Sequence, residues 1–250
     1  MGGNVPQLGL AATALSLTPI LAAGWFYHRW CGGGRMLAYA TGRMLVQLLA
    51  IGFVLVYLFE NPHPAMCLLI LAVVMSTSAW IALRHVKMEG RRYFPVLLAA
   101  LALGGLPVLV LDLLVVQQGR MEYLPKFFIP LAGMVFGSSM NILSLAAERF
   151  EAERKRGAGF EQARNVAFRA SMIPRINSYL AVGMVSLPGM MTGQILAGIS
   201  PLVAVRYQIL IMAMIMGSSA MTVACYFVLN RKTLEEGAAG SGEAGGDGGA

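Results

Sequence analysis

The sequence predicts an all-α, polytopic membrane protein, and three observations predict it. Only 12% of the 250 residues are charged while 57% are hydrophobic, too little charge to cover the surface of a soluble domain this long. The apolar residues come in long unbroken runs and do not alternate in twos. That selects helices over a closed barrel as the way to satisfy backbone groups in lipid. Mean hydropathy is +0.67, and the 19 Lys and Arg residues fall between the runs. The basic balance therefore reflects topology, and no nucleic-acid partner is expected.

Seven spans are predicted, at 8–27, 44–59, 65–83, 95–116, 127–147, 178–198 and 208–229. Most hold about 20 residues, enough to cross ~30 Å of hydrocarbon at ~1.5 Å per residue. The second is short, and its helix is expected to begin earlier, near Met36, with Arg43 snorkelling. Of the Lys and Arg, 16 lie in the segments 28–43, 84–94, 148–175 and the tail; Arg120, Lys126 and Arg206 alone lie on the other side. The positive-inside rule then puts the N-terminus outside and the C-terminus in the cytoplasm of a multi-pass plasma-membrane protein. Residues 1–232 form one transmembrane domain, and the Gly/Ala-rich stretch 233–250 is expected to be disordered because it has no face to bury. Cys31, Cys67 and Cys225 are too far apart for a disulfide framework or a CxxC metal site.

Two stretches carry the functional expectation. The first is a charged bracket at 148–175. Residues 148–156 extend the fifth helix out of the membrane, Gly157 and Gly159 end it, and an amphipathic segment comes next. Phe160, Ala163, Ala167 and Ala170 share one face of that segment, while Glu161, Arg164, Asn165 and Arg169 take the other. Pro174 is expected to set its boundary. Two readings are open: a basic connector lying on anionic headgroups, or a coupling helix docking onto a cytoplasmic motor through Gly157, Phe160, Glu161, Ala163, Arg164 and Ala167. The chain has no G-x-x-x-x-G-K-[ST] loop, so an ATP-driven motor would be a separate polypeptide.

The second stretch lies within the sixth span. Pro188 lacks an N–H and Gly189 adds freedom beside it, so a kink or unwound turn is expected there. Gly189, Gly193 and Ala197 form a small-residue stripe for close helix packing, and Thr192 and Gln194 add polar groups. Pro188, Gly189, Met190, Met191, Thr192, Gly193 and Gln194 are the candidate gating residues, against the plainer reading that Pro, Gly and Met here serve packing alone.

Candidate substrate contacts are few. Asp112 is the one acid inside a span; it is either a weak cation site at the outer mouth, or a residue that snorkels or is capped by Gln117. Gln47, Asn141 and Asn177 are further polar candidates. His28, His63 and His85 all fall in loops or at span ends, which leaves no His/Asp/Glu cluster for a tight metal site and no nucleophile–base pair for an intramembrane enzyme. Eight of the 17 methionines lie between 172 and 221. Thioethers suit soft ions, but Met also fills gaps between helices. Any metal ligands stay unknown at this stage.

The run Gly183-Met184-Val185-Ser186-Leu187-Pro188-Gly189-Met190-Met191-Thr192-Gly193-Gln194, with Pro201, Ala204 and Tyr207-Gln208-Ile209 after it, resembles the signature of the iron-export permeases of the ATP-binding-cassette class. Gly42-Arg43 with Gln47, and Ile129-Pro130-Leu131-Ala132-Gly133-Met134, extend the resemblance over roughly residues 8–230. It implies a permease, paired as two copies with a separate cytoplasmic ATP-binding subunit that holds ATP and Mg, exporting iron or a related solute. This chain itself would carry no cofactor. In that family Ser or Thr often comes after Gly-Ala in the bracket; Gly159 stands there here, which removes a side-chain helix cap. An autonomous channel or ion-driven carrier is the alternative, for which one peripheral Asp is a poor relay.

Overall fold

The computed structural model describes residues 9–61, 63–84, 93–116, 127–231 and 234. Those residues are almost entirely helical, in nine helices with no strand among them. Five of the helices are long and apolar enough to cross a bilayer, and the chain is a multi-pass membrane protein. Of the stretch 233–250, expected to be disordered, Leu234 is described and is helical and buried; the rest lies outside the described residues, as does Gln117.

The chain divides into two units. The first holds α1 (Leu10–Leu15), α2 (Thr18–Cys31) and α3 (Gly34–Glu60). The predicted first span, 8–27, is thus two helices. The physical reason lies at the joint: the Ser16 and Thr18 hydroxyls donate to the carbonyls of Thr13 and Leu15 at 2.7 and 2.8 Å, and Pro19 has no N–H with which to continue the ladder. Gly32, at φ +68°, ends α2 by donating its N–H to the His28 carbonyl at 2.9 Å. As expected, α3 begins well before residue 44, at Gly34.

The second unit is a bundle of α4 (Pro64–Leu83), α5 (Phe94–Leu111), α6 (Ile129–Lys155), α7 (Phe160–Ala181), α8 (Gly189–Leu196) and α9 (Pro201–Leu229). Helices α5, α6 and α9 pack against one another at its centre; α4 lies on α5 and α6, and α7 on α6 and α9. Lipid tails are as apolar as leucine, so association between these helices depends on close packing and not on escape from water. The closest approach is at Gly104 and Gly105 of α5. A Cβ on Gly104 would stand 2.6 Å from the Thr222 backbone nitrogen, and one on Gly105 would stand 2.4 Å from the Phe136 ring. Beyond Pro107 the helix loosens into a π-helical turn, Asp112–Val116.

Three further features depart from the sequence-based expectation. Pro174 sets no boundary: α7 runs through it to Ala181. A proline removes one backbone bond and crowds one carbonyl, while the turns on either side keep theirs. The span expected at 178–198 is not one helix. The end of α7, the turn Val182–Pro188 and the eight-residue α8, which rises only ~12 Å, replace it. The break also begins earlier than Pro188-Gly189. The unwound residues are Val182–Pro188, so the break includes Pro188 at its end but begins six residues before it, and Gly189 through Gln194 are helical.

Gly104→Leu is expected to separate α5 from α9 and lower stability by ~1–3 kcal/mol, the range for overpacking. Gly133, where an added Cβ meets open space, is the comparison: Gly133→Ala should be neutral or stabilising by up to ~1 kcal/mol. Thermal melting of the detergent-solubilised chain followed by size-exclusion monodispersity reads both.

Candidate functional site

The site is built around the elbow between α6 and α7. With 27 residues, α6 is ~40 Å long, so its charged last turns extend past a ~30 Å hydrocarbon layer. Glu153 holds Arg149 at 2.7 Å and Arg156 at 3.1 Å on that projecting end. The helix then stops in a Schellman turn. Ala158 N–H donates to the Glu153 carbonyl at 3.1 Å and Gly157 N–H to the Arg154 carbonyl at 3.0 Å, with Gly157 at φ +88°. Arg154 Nη1 donates to the Ala158 carbonyl at 2.9 Å and closes the turn from the side. Gly159 caps α7 without any side-chain hydrogen bond, so entry into α7 is held by backbone and by packing.

That packing is aromatic. Phe160, the first residue of α7, meets Phe150 of α6 edge-on at 5.5 Å between ring centroids, and Phe150 meets Phe227 of α9 at 5.3 Å. Two guanidinium groups lie over the Phe160 ring, Arg164 at 6.0 Å and Arg231 at 5.9 Å, within reach of a cation–π attraction. Phe160, Ala163 and Ala167 are buried as their spacing predicts, and Glu161, Asn165 and Arg169 are exposed. Ala170 is only half-buried, and Ser171 joins the buried face instead. Arg164 is half-buried, not fully on the outer face, because its guanidinium is turned onto Phe160 and donates to Asn165 Oδ1 at 3.1 and 3.2 Å. Between α7 and the end of α9 these side chains line a groove of ≈ 440 Å³, whose walls include Phe168 and Phe227 and whose rim carries Arg164 and Arg231.

From the elbow, α7 continues as a single 22-residue rod to the broken segment. Tyr179 donates its hydroxyl to the Met212 carbonyl, tying the rod to the middle of α9. At the break the backbone satisfies itself. Val185 and Ser186 N–H groups both donate to the Ala181 carbonyl, at 2.8 and 3.1 Å, and Gly183, at φ +87°, donates to the Ser186 carbonyl at 3.0 Å. Pro188 stands just before α8, its carbonyl accepting from Thr192 N–H at 3.0 Å and Thr192 Oγ1 at 3.2 Å. The exposed tip of the turn carries Met184 and Val185, 93% and 83% exposed.

The candidate gating residues share this short helix but not one environment. Met190 packs on the bundle core, Met191, Thr192 and Gln194 are half-buried, and Gly189 and Gly193 face open space. The small-residue stripe therefore meets no helix there among the described residues. Among the polar candidates, Gln47, Asn141 and Asn177 are exposed on the chain, whereas Asp112 is 2% exposed. Asp112 is enclosed where the helix loosens into its π turn. No group of three or more His, Cys, Asp or Glu residues suited to a metal ion occurs among the described residues. Met172 and Met214 are core residues, as gap-filling predicts. What the sequence reading missed is the polar seam of α9: Ser218, Ser219 and Thr222 are fully buried, and Ser139 of α6 donates to Ser218 at 3.3 Å. The groove's second wall, Phe227 and Arg231, was also missed. Its only trace in the sequence is their four-residue spacing at the end of the last span.

Gly157→Ala is expected to cost ~1–2 kcal/mol, since an L side chain is strained in the left-handed region. Gly157→Asn should lose less, because Asn tolerates that geometry. Thermal melts of the two variants in the same detergent rank them.

Comparison with known proteins extends over nearly the whole chain. Residues 8–234 match the model of the family described as Uncharacterised protein family (UPF0014). A UPF0014 membrane protein, slr1647 of Synechocystis, is 35% identical over 228 residues, 84% of each chain. The probable iron export permease protein FetB of Escherichia coli is 31% identical over 210 residues, 77% of this chain and 80% of its own length. Protein ALUMINUM SENSITIVE 3 of Arabidopsis thaliana is 29% identical over 200 residues, 74% of this chain and 71% of its own. No solved structure matches. With its family model matched from residue 8 to 234 and its helices apolar enough to span lipid, the chain belongs to the UPF0014 family of membrane proteins.

Proposed function

We propose that this chain is the permease subunit of an ATP-driven exporter, energised by a separate cytoplasmic ATP-binding subunit and moving iron or a related solute. The observation that carries the reading is the continuity of α7. One helix runs from the charged elbow to the helix break, so in this reading force applied at Phe160 and Arg164 reaches Val182–Pro188 along a single element. Similarity to the probable iron export permease FetB supports the choice of cargo. The chain would work as two copies with two ATP-binding subunits, which hold the ATP and Mg. ATP binding draws the partners together, the elbow moves with them, and the helices around the break exchange an inward-open arrangement for an outward-open one.

Cargo contact in this reading comes from neutral donors. The hydroxyls of α9 and α6 and the amide of Gln194 offer hydrogen bonds or weak ligation to a hydrated or chelated ion, not a closed cage. An autonomous carrier would need an internal ion relay, and the enclosed Asp112 alone does not make one.

The test is reconstitution with the ATP-binding subunit in proteoliposomes. Wild type is expected to move iron only with ATP. Phe160→Leu, which keeps an apolar side chain at the junction, and Arg164→Glu should keep the fold but lose at least about tenfold of the coupled transport, a loss of ~1.4 kcal/mol in coupling. Uphill transport by the chain alone, or partner ATPase stimulation by both variants at the wild-type level, overturns the reading.

A further inference from the structure

The groove between α7 and the end of α9 opens onto side chains that a bilayer would cover. One of its walls is the last two turns of α9, a helix long and apolar enough to cross a membrane. With 29 residues α9 is ~43 Å long, so it reaches past a ~30 Å hydrocarbon layer to headgroup depth. Its lining residues Ala224 and Val228, one helical turn apart, are both exposed, as is the adjoining Leu229. Phe160 and Phe168 of α7 and Phe227 of α9 complete an apolar interior of ≈ 440 Å³, a volume ordinary for small-ligand sites.

At the mouth of this groove stands the half-buried Arg164. Its Nε and Nη2 both donate to Asn165 Oδ1, and its guanidinium lies over the Phe160 ring. Both partners are neutral. Glu153 of the neighbouring elbow is engaged with Arg149 and Arg156, and Arg164 makes no ion pair among the described residues. No acidic side chain lines the groove among them either. Arg231 contributes a wall, its guanidinium over the same ring at 5.9 Å; the charge that selects a ligand is that of Arg164, whose Nη1 keeps two N–H donors. A cation beside an apolar groove favours a ligand with an anionic head and an apolar body. A free anion leaves the aromatic interior unfilled, and a zwitterionic lipid brings a second cation towards Arg164. An anionic phospholipid meets both demands. Its phosphate accepts a charge-assisted hydrogen bond from the guanidinium, its acyl chain lies against the rings, and basic pockets between membrane helices take such headgroups.

We propose that the groove between α7 and α9 binds one anionic phospholipid, with its phosphate on Arg164 and an acyl chain against Phe160, Phe168 and Phe227. The bound lipid bridges the start of α7 to the end of α9 from the membrane side. If the elbow couples to an ATP-binding subunit as proposed above, the lipid sets the pose of the residues that transmit the movement; this consequence rests on that reading, and the binding itself does not.

Native mass spectrometry of the full chain released from detergent micelles tests the binding with neither partner nor transport. The probes are dioleoyl-phosphatidylglycerol and dioleoyl-phosphatidylcholine, which share their acyl chains and differ in net charge. Retention of one phosphatidylglycerol per chain is expected, favoured over phosphatidylcholine at least about fivefold, the discrimination one arginine near an anionic headgroup supplies. Arg164→Gln should abolish that preference, while Arg206→Gln, near the opposite end of α9, should leave it unchanged. Ala224→Trp fills the groove without touching Arg164 and should lower phosphatidylglycerol retention; thermal melts in the same detergent check that each variant is folded. Equal retention of the two lipids by the wild-type chain overturns the proposal and leaves the groove to a protein partner. An unchanged preference in folded Arg164→Gln, or full retention in folded Ala224→Trp, overturns it as well. Release of the lipid by an equimolar amount of inorganic phosphate shows a simple anion site and also overturns it, whereas retention supports the two-part contact.

Discussion

The contact of Phe160 with Phe150 and Phe227 is the constraint on which the charged end of the bundle depends. Two consecutive helices and the distant α9 meet there through rings, and no side chain caps the start of α7. Its N-cap is a glycine, and Gly159 alone leaves the helix free to enter at many angles. The aromatic junction removes that freedom from one side, and the Schellman turn at Gly157 removes it from the other. A side-chain cap, the usual device at this position, is replaced by tertiary packing. The elbow's orientation is thereby made to depend on where the end of α9 stands, so a push on one helix is felt by the other.

Inside the lipid the governing term changes. Apolar contact stabilises little there, and what holds helices together is how near their backbones approach. Gly104 and Gly105 let α5 close on Thr222 and Phe136, and the hydroxyl pair Ser139–Ser218 adds a bond that lipid cannot offer. The same accounting explains how a chain can unwind at Val182–Pro188. The turn supplies acceptors for three of its own N–H groups, with the Ala181 carbonyl taking two and the Ser186 carbonyl one. A break closed in this way costs few hydrogen bonds to hold.

How much of this was legible depended on whether the deciding force was local. Binary pattern gave the long apolar helices, because apolar length is what a bilayer selects. It gave the buried face of Phe160, Ala163 and Ala167, because helical period alone assigns it. Gly157 as a helix stop was legible from its freedom at positive φ. Pro174 misled, since one missing N–H was weighed as a boundary when the surrounding turns and the packing of α7 on α6 and α9 outweigh it. Pro188 was read as the break itself. In the structure it leads directly into the next helix, a place where a missing N–H costs nothing, and Gly183 supplies the positive φ the turn requires. The groove could not be read at all, because its walls come from residues more than fifty positions apart, and no local period relates them.

In the exporter proposed above, weak ligation of the cargo would be no handicap. A site that holds a divalent ion tightly with carboxylates and imidazoles releases it slowly, because affinity among related sites is carried mainly by the off-rate. A pathway of hydroxyls, amides and thioethers binds less well and lets go sooner. For an exporter driven from outside the membrane the energy for moving cargo comes with the nucleotide, so the membrane subunit needs only to admit the cargo, exclude lipid and change sides. The lack of any cluster of three His, Cys, Asp or Glu residues among those described, alongside fully buried Ser218, Ser219 and Thr222, fits that division of labour. In the exporter proposed above, selectivity would fall to the shape of the passage as the break at Val182–Pro188 rearranges, and α7, anchored to α9 by Tyr179 just before that break, would be the element that rearranges it.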